Sequence, residues 1–503
     1  MATDETTPAH MNQAALSRRT LLRSALAISG GAAASALLAA CGGKAKPTSA
    51  SDSAVTGTTT GAASPVATGA TPGSAVAAAP AFTRQASITE WGFGVEETNP
   101  LAFARVEAFK KAYPSIKLEI VPKVEDQKIL TGAAAKQLPD LLWLDRTTLS
   151  SWAARGVLKP LDAYIQRDKF DLGRFNASAV SEVKYDNKMY GVPQFMTVRP
   201  LYVNTDALKE AGVDATQLDA GNWDTLTDLG KQITKRGGDK VDRWGFDPKV
   251  YTQTGGGFLY LWGLGNGGTF LSADGKKATF NDPKIVDALD WGVKSYAAQG
   301  GFKSYQAVSS TWQNDEQFAR GQVAMTLYEN WMLGIIARVA PDLNFTVLPV
   351  KKRGGSAPIS FTTGNAWTIT ANAKEPDAAW EFIKFMNDLN TWQIGANAVK
   401  EYQKKNGKPY IPTLTGDKAA DQMQINTVYE PIAPKFDRAV KLMPQLLDTS
   451  LQSPISASPV SRLLDDDLGN EGTKPALSGD KSAKEALDRA NDKAQKDIDT
   501  FKS

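Results

Sequence analysis

The sequence predicts an α/β protein built on two sheets, and three observations carry that expectation. From about residue 87 to the C terminus, short apolar runs with strand character alternate with segments of helical period. One run, Pro139 to Asp145, is almost continuously apolar, as expected of a strand covered on both faces. Roughly 418 residues of such alternation exceed what one sheet over one core holds.

Taken in order, Ile88 to Trp91 reads as a short strand. Asn99 and Pro100 open a helix with Leu101, Val106, Phe109 and Ala112 inward, which Pro114 ends. Ile116 to Val121 alternates as a strand; the Pro139–Asp145 strand follows, then a helix over 147–155 closed by Gly156. Tyr185 to Tyr190 pairs two short runs about a polar turn, and a strand runs from Val198 to Asn204. Asn222 caps a helix to Arg236, and Asp282-Pro283 opens one carrying Ile285, Leu289 and Val293. Val323–Tyr328 and Phe345–Leu348 are strands with a helix from Asn330 between them; Gly364–Thr370 is another strand. Pro376 opens a helix bearing Trp380, Ile383, Phe385 and Leu389, and a last helix spans about 481–501.

The first forty residues read as an address. Ser17-Arg18-Arg19-Thr20-Leu21-Leu22-Arg23 precedes an apolar run, Ser24 to Ala40, that is too short and small-residue-rich to span a membrane but suits a signal segment. The run ends in Leu38-Ala39-Ala40-Cys41, which resembles the bacterial lipobox, and the upstream pattern is similar to twin-arginine export signals. On that resemblance Cys41 carries fatty-acyl chains such as palmitate, each buried CH₂ adding ~0.8 kcal/mol of membrane affinity. From Gly42 to about Gln85 the chain is Ala, Gly, Ser, Thr and Pro, a composition that buries no core and reads as a linker.

Composition excludes much chemistry. The chain has one Cys and one His, His10, so a disulfide framework, imidazole- or thiolate-based metal sites and His-dependent triads are ruled out once residues 1–40 are removed. No cofactor or metal is expected. A net charge of +3 gives no broad basic face for nucleic acid. Three motif matches are set aside. Gly263-Leu264-Gly265-Asn266-Gly267-Gly268 has dinucleotide spacing but precedes a turn-like segment; Ser181-x-x-Lys184 lacks its K-T-G partner; Asp465-Asp466-Asp467 lacks calcium-loop spacing.

The order of segments resembles the maltose-binding-like family of extracellular solute-binding lipoproteins of ABC importers. The resemblance rests on Trp91, Ala108–Pro114, Leu138–Trp143, Lys188–Pro193, Leu201–Asp206, Phe318–Met325, Glu329-Asn330-Trp331 and Ala378–Met386, in that order. It implies a periplasmic-binding-protein-like fold: two α/β lobes joined by crossing strands, with a ligand cleft between them. Mapped onto this chain, 1–40 is the signal segment and 41–86 the acylated Cys and linker. Lobe one is 87–197 with 350–412, and lobe two is 198–349 with 413–503. Crossings fall near Thr197–Tyr202, Leu348–Lys351 and Pro412. The implied function is capture of a sugar or oligosaccharide and delivery to an ABC permease, by a monomeric, non-enzymatic receptor anchored on the extracytoplasmic side.

Sugars present apolar C–H faces and a rim of hydroxyls, so a site needs aromatic plates with carboxylate, guanidinium and amide groups. In open α/β sheets these sit at strand ends. The candidates are Trp91, Phe93, Glu96, Asp145, Arg146, Gln194, Thr197, Phe258, Trp262, Asn330, Trp331, Asn365 and Trp367, with Trp331 foremost. Trp143 fits core and cleft equally, and Asp145 fits a helix cap as well as a ligand contact. Trp152, Trp223, Trp291 and Trp380 read as packing. Two alternatives stay open: a secreted carbohydrate-active enzyme using Glu96, Asp145 or Glu329, and a receptor for another solute, such as a polyamine or a phosphate ester held by Arg146 and Arg199.

Overall fold

A computed structural model describes residues 82–501 apart from 239, 252–254 and 314; the signal segment, Cys41 and the linker up to residue 81 lie outside the described residues. The strands, in chain order, are β1 (Ala86–Gly92), β2 (Ile116–Pro122), β3 (Leu141–Asp145), β4 (Lys184–Tyr185), β5 (Lys188–Met189), β6 (Val192–Pro193) and β7 (Leu201–Asn204), then β8 (Lys235–Gly237), β9 (Lys240–Asp247), β10 (Val323–Leu327), β11 (Phe345–Leu348), β12 (Ser360–Phe361), β13 (Asn365–Ile369) and β14 (Ser450–Leu451). They form two five-stranded sheets, ordered β2-β1-β3-β13-β6 and β11-β7-β10-β9-β8, and two small pairs.

In the first sheet β1 runs parallel to β2 and β3, while β13 is antiparallel to β3 and β6. In the second, β10 is parallel to β9 and antiparallel to β7, which also pairs antiparallel with β11. Each sheet is a lobe with its own core, so the fold is α/β with two lobes. Helix starts follow local chemistry: Asn99 Oδ1 accepts from Ala102 N with Pro100 at the first helical position, and Asp282 accepts from Lys284 N with Pro283 behind it.

Lobe one packs Ile88, Phe109, Trp367 and Trp380 between its sheet and the helices Pro100–Ala112 and Pro376–Met386. Lobe two packs Trp223, Phe246, Trp262 and Trp291 on one side of its sheet, and Phe345, Ile336 and Phe436 in a second cluster. Trp152, Trp223, Trp291 and Trp380 are buried, as their spacing predicts.

The chain passes from lobe to lobe through residues 194–200, between β6 and β7, and through 349–359, between β11 and β12. The third passage differs from the expected crossing near Pro412. Tyr410 and Val428 pack on Ala396 of helix Leu389–Lys405 and Phe175 bridges Asp417, whereas Leu414 between them joins the lobe-two cluster of Phe345 and Phe436. The return runs through 429–433 to helix Pro434–Asp448, whose Phe436 meets Phe345 of β11 edge-on at 5.1 Å. The apolar contacts of Tyr410 and Val428, invisible to linear spacing, move the boundary. The helix from Pro376 also ends earlier than expected, at Met386, because Asp388 caps a separate helix, Leu389–Lys405.

Candidate functional site between the lobes

The junction is a zip of backbone bonds. Gln194 N and Phe195 N donate to Asn365 O at 2.9 and 3.3 Å, Met196 N to Leu414 O at 3.1 Å, and Thr197 N to Thr363 O at 3.0 Å. One residue on, the partner changes lobe: Val198 N donates to Asn330 Oδ1 at 3.1 Å, and Asn330 N returns a bond to Val198 O at 3.0 Å. Gly364 is required here. Its φ of 140° is open only to glycine, and a Cβ would overlap the Phe195 carbonyl oxygen.

Two buried cations brace this zip. The Arg146 guanidinium, fully buried, donates through Nε to Glu182 Oε2 at 2.8 Å and through Nη1 to the carbonyls of Phe195 and Asn365. Glu182 Oε1 in turn accepts from Ser453 N at 2.6 Å. Arg199 donates to Phe361 O and Thr363 Oγ1, both at 2.9 Å, pairs with Glu329 at 3.3 Å, and lies over the Phe361 ring at 4.1 Å. Burial lowers the Arg199 pKa.

An opening of about 210 Å³ lies beside the junction. Phe195, Asn330, Trp331, Ile335 and Arg338 line it from the junction and lobe two; Val399, Gln403 and the segment Lys408–Thr413 line it from lobe one. Trp331 precedes helix Met332–Val339, is partly exposed, and meets Tyr328 edge-on at 4.9 Å. An adjoining void of about 10 Å³ reaches Asp421, whose carboxylate accepts from Thr415 N and Oγ1. Burial pushes the Asp421 pKa up to about 7.

Of the residues singled out from sequence, Asn330 and Trp331 line the opening, whereas Gln194 and Thr197 belong to the junction on either side of Phe195 and are not among the lining residues. Phe195 itself, Val399, Gln403, Arg338 and Lys408 were missed. Arg146 and Asn365 belong to the junction rather than to an exposed wall, and Gln194 Oε1 accepts from Trp143 Nε1 at 2.9 Å. Phe258 is buried with Arg199 over its ring at 5.2 Å. Asp145 caps helix Arg146–Ala154 by accepting from Thr147 N at 2.8 Å. Trp91 carries the Lys128 ammonium over its ring at 4.4 Å, and Glu96 is exposed, 3.9 Å from Lys123.

Three more aromatic candidates are enclosed in the lobe cores. Trp367, 0% exposed, stacks edge-on with Phe93 and Phe382 in the lobe-one core, and Phe93 is itself 5% exposed. Trp262, 1% exposed, lies among Trp223, Phe246 and Trp291 with its Nε1 given to Pro248 O. Enclosed rings have no face for a ligand.

The alternatives find little footing in the described residues. Arg146 and Arg199 are buried against protein acceptors, so they are not poised for a phosphate ester. Glu329 and Asp145 are held by Arg199 and Thr147. Gly263–Gly268 closes the helix Leu259–Gly265 instead of opening one, Ser181 Oγ donates to Ser178 O, and no cluster of metal-ligating side chains occurs among the described residues.

Comparison with known proteins gives the following. The family model described as bacterial extracellular solute-binding protein matches residues 97–388. A binding protein of Brucella abortus (strain 2308) is 26% identical over 295 residues, 58% of this chain and 69% of that one. A lactose-binding protein of Rhizobium radiobacter is 22% identical over 303 residues, 57% of this chain and 67% of that one. Among solved structures, an ABC substrate-binding protein of Listeria monocytogenes in complex with cycloalternan superposes with a TM-score of 0.65 at 21% identity, covering 83% of this chain and 100% of that one.

Proposed function

The chain belongs to the bacterial extracellular solute-binding protein family, and we propose that within it the protein captures a sugar or oligosaccharide between its lobes and hands it to an ABC import permease. One observation carries this reading: Trp331, Phe195, Gln403 and Thr413 together line an opening shared by both lobes. An indole face covers the C–H side of a pyranose while amides and hydroxyls bond its rim. A solute touching both walls binds the closed arrangement better than the open one, and that difference drives closure. The lactose-binding and cycloalternan-bound relatives support a carbohydrate as the solute.

Acylation of Cys41 would hold this receptor at the outer face of a membrane. A Cys41→Ser variant expressed in a bacterial host is expected in the soluble extracytoplasmic fraction instead of the membrane pellet. The central test is a panel of di- to tetrasaccharides read by calorimetry and small-angle scattering. Saturation at one sugar per chain with a fall in radius of gyration is the expected result. A panel that neither binds nor compacts the protein would refute capture, and consumption of the sugar would replace the receptor by an enzyme.

A further inference from the structure

The charges around the opening are one-sided. Lys408 and Arg338 line it and, among the described residues, no carboxylate does. Among the described residues no acid pairs with Lys408. Arg338 does have one, Glu316, at 2.8 Å, but the same carboxylate also accepts from Arg320 Nε at 2.8 Å. One negative charge shared by two guanidiniums leaves a positive excess on that wall. Of the nearby acids, Glu329 is paired with Arg199, and Asp421 lies buried in the adjoining void.

Lys408 is also held in place. Helix Leu389–Lys405 is closed by Gly407 at φ 65°, with Gly407 N bonded to Lys404 O and Lys408 N to Gln403 O at 2.9 Å. The cap fixes the Lys408 backbone against the helix end, next to Gln403, on the lobe-one wall opposite Arg338. Lys404 and Lys405 already complement the negative end of the helix, so that role does not require Lys408.

We propose that the solute is an acidic oligosaccharide, a chain bearing a uronic-acid carboxylate, and that Lys408 is the residue that selects it over the neutral sugar. This rests on the reading of the opening as the solute site. A carboxylate fits better than a phosphate. The N–H groups of Met332, Leu333 and Gly334, which could have formed a phosphate cradle, are taken by the carbonyls of Glu329, Asn330 and Trp331. A single ammonium with a half-compensated guanidinium suits one negative charge.

The test uses matched β-1,4 trisaccharides: mannotriose against trimannuronate, and cellotriose against triglucuronate, titrated calorimetrically into the full chain. A charge-assisted bond in a half-open site favours the acid by about tenfold in Kd. Lys408→Gln should reduce the ratio to about twofold or less and Lys408→Arg should keep it, with unchanged unfolding midpoints. Raising salt to about 1 M, where the Debye length is ~3 Å, should shrink the wild-type ratio. Equal or tighter binding of the neutral members overturns this inference while leaving sugar capture intact, as does an acid preference that survives Lys408→Gln. If no trisaccharide of either kind binds, both this inference and sugar capture by the opening fall.

Discussion

Replacing Glu182 by Ala tests whether the buried braces hold the junction. Glu182 and Arg146 are both fully buried, and the carboxylate satisfies Arg146 Nε at 2.8 Å, Ser453 N at 2.6 Å and Thr362 Oγ1 at 3.4 Å. Alanine strands a guanidinium whose Nη2 already lacks a partner and leaves the Ser453 N–H unsatisfied. Breaking a buried pair from one side costs about 3–5 kcal/mol. With an unfolding entropy of ~2.1 cal/mol/K per residue over roughly 420 residues, that lowers Tm by about 3–6 °C. Glu182→Gln keeps an acceptor and the side-chain volume, so it should lose about half as much. Differential scanning calorimetry of the three proteins reads the order directly. An alanine variant that melts within about 1 °C of the parent would show that Arg146 finds equivalent partners and that the brace is dispensable.

Trp331→Ala removes an indole from the lining of the opening. Covering about half of an indole's 150–250 Å² at ~25 cal/mol/Å², discounted because the ring is already partly buried, gives about 1–2 kcal/mol, or a roughly 5–30-fold weaker sugar Kd with little change in Tm. Asp421, with a pKa raised to about 7 in the fold against 3.8 for the ordinary group, stabilises the native state while protonated: its contribution is complete below about pH 4 and lost as pH rises through about 7. Asp421→Asn keeps an acceptor for Thr415, so unfolding measured from pH 4 to 8 should flatten, with a gain on the order of 2 kcal/mol at pH 8. Gly364→Ala should cost on the order of 3 kcal/mol in a denaturant titration, because the residue must leave φ 140° and the Phe195 carbonyl must move; an unchanged midpoint would show that the junction yields freely.

Much of the architecture was legible because period and caps agree. Ile116–Pro122 is the strand its alternation predicts, and Asn99-Pro100 and Asp282-Pro283 start their helices where capping chemistry places them. The missed elements lack such agreement. Helix Asp126–Ala135 has no side-chain cap bond and contains Gly132, and the β8–β9 hairpin opens with three exposed residues, Lys235 to Gly237. Asp388 caps the next helix, but the apolar spacing that runs on to Leu389 masks the break in the sequence. At the site, Trp331 was readable because it directly follows a strand. Trp262 and Trp367 were candidates too, and tertiary packing encloses them. Val399, Gln403 and Lys408 come within reach of Trp331 through tertiary folding alone, a relation that linear spacing does not encode.

The three passages through 194–200, 349–359 and 429–433 make the molecule redundant in its own connectivity. A single protease cut in any one of them leaves two intact covalent tethers, and β14, threaded against β12, adds a non-covalent stitch. A nicked receptor should therefore migrate as one particle on a native gel and still swing on the remaining ties, which is a useful tolerance for a protein working outside the cell.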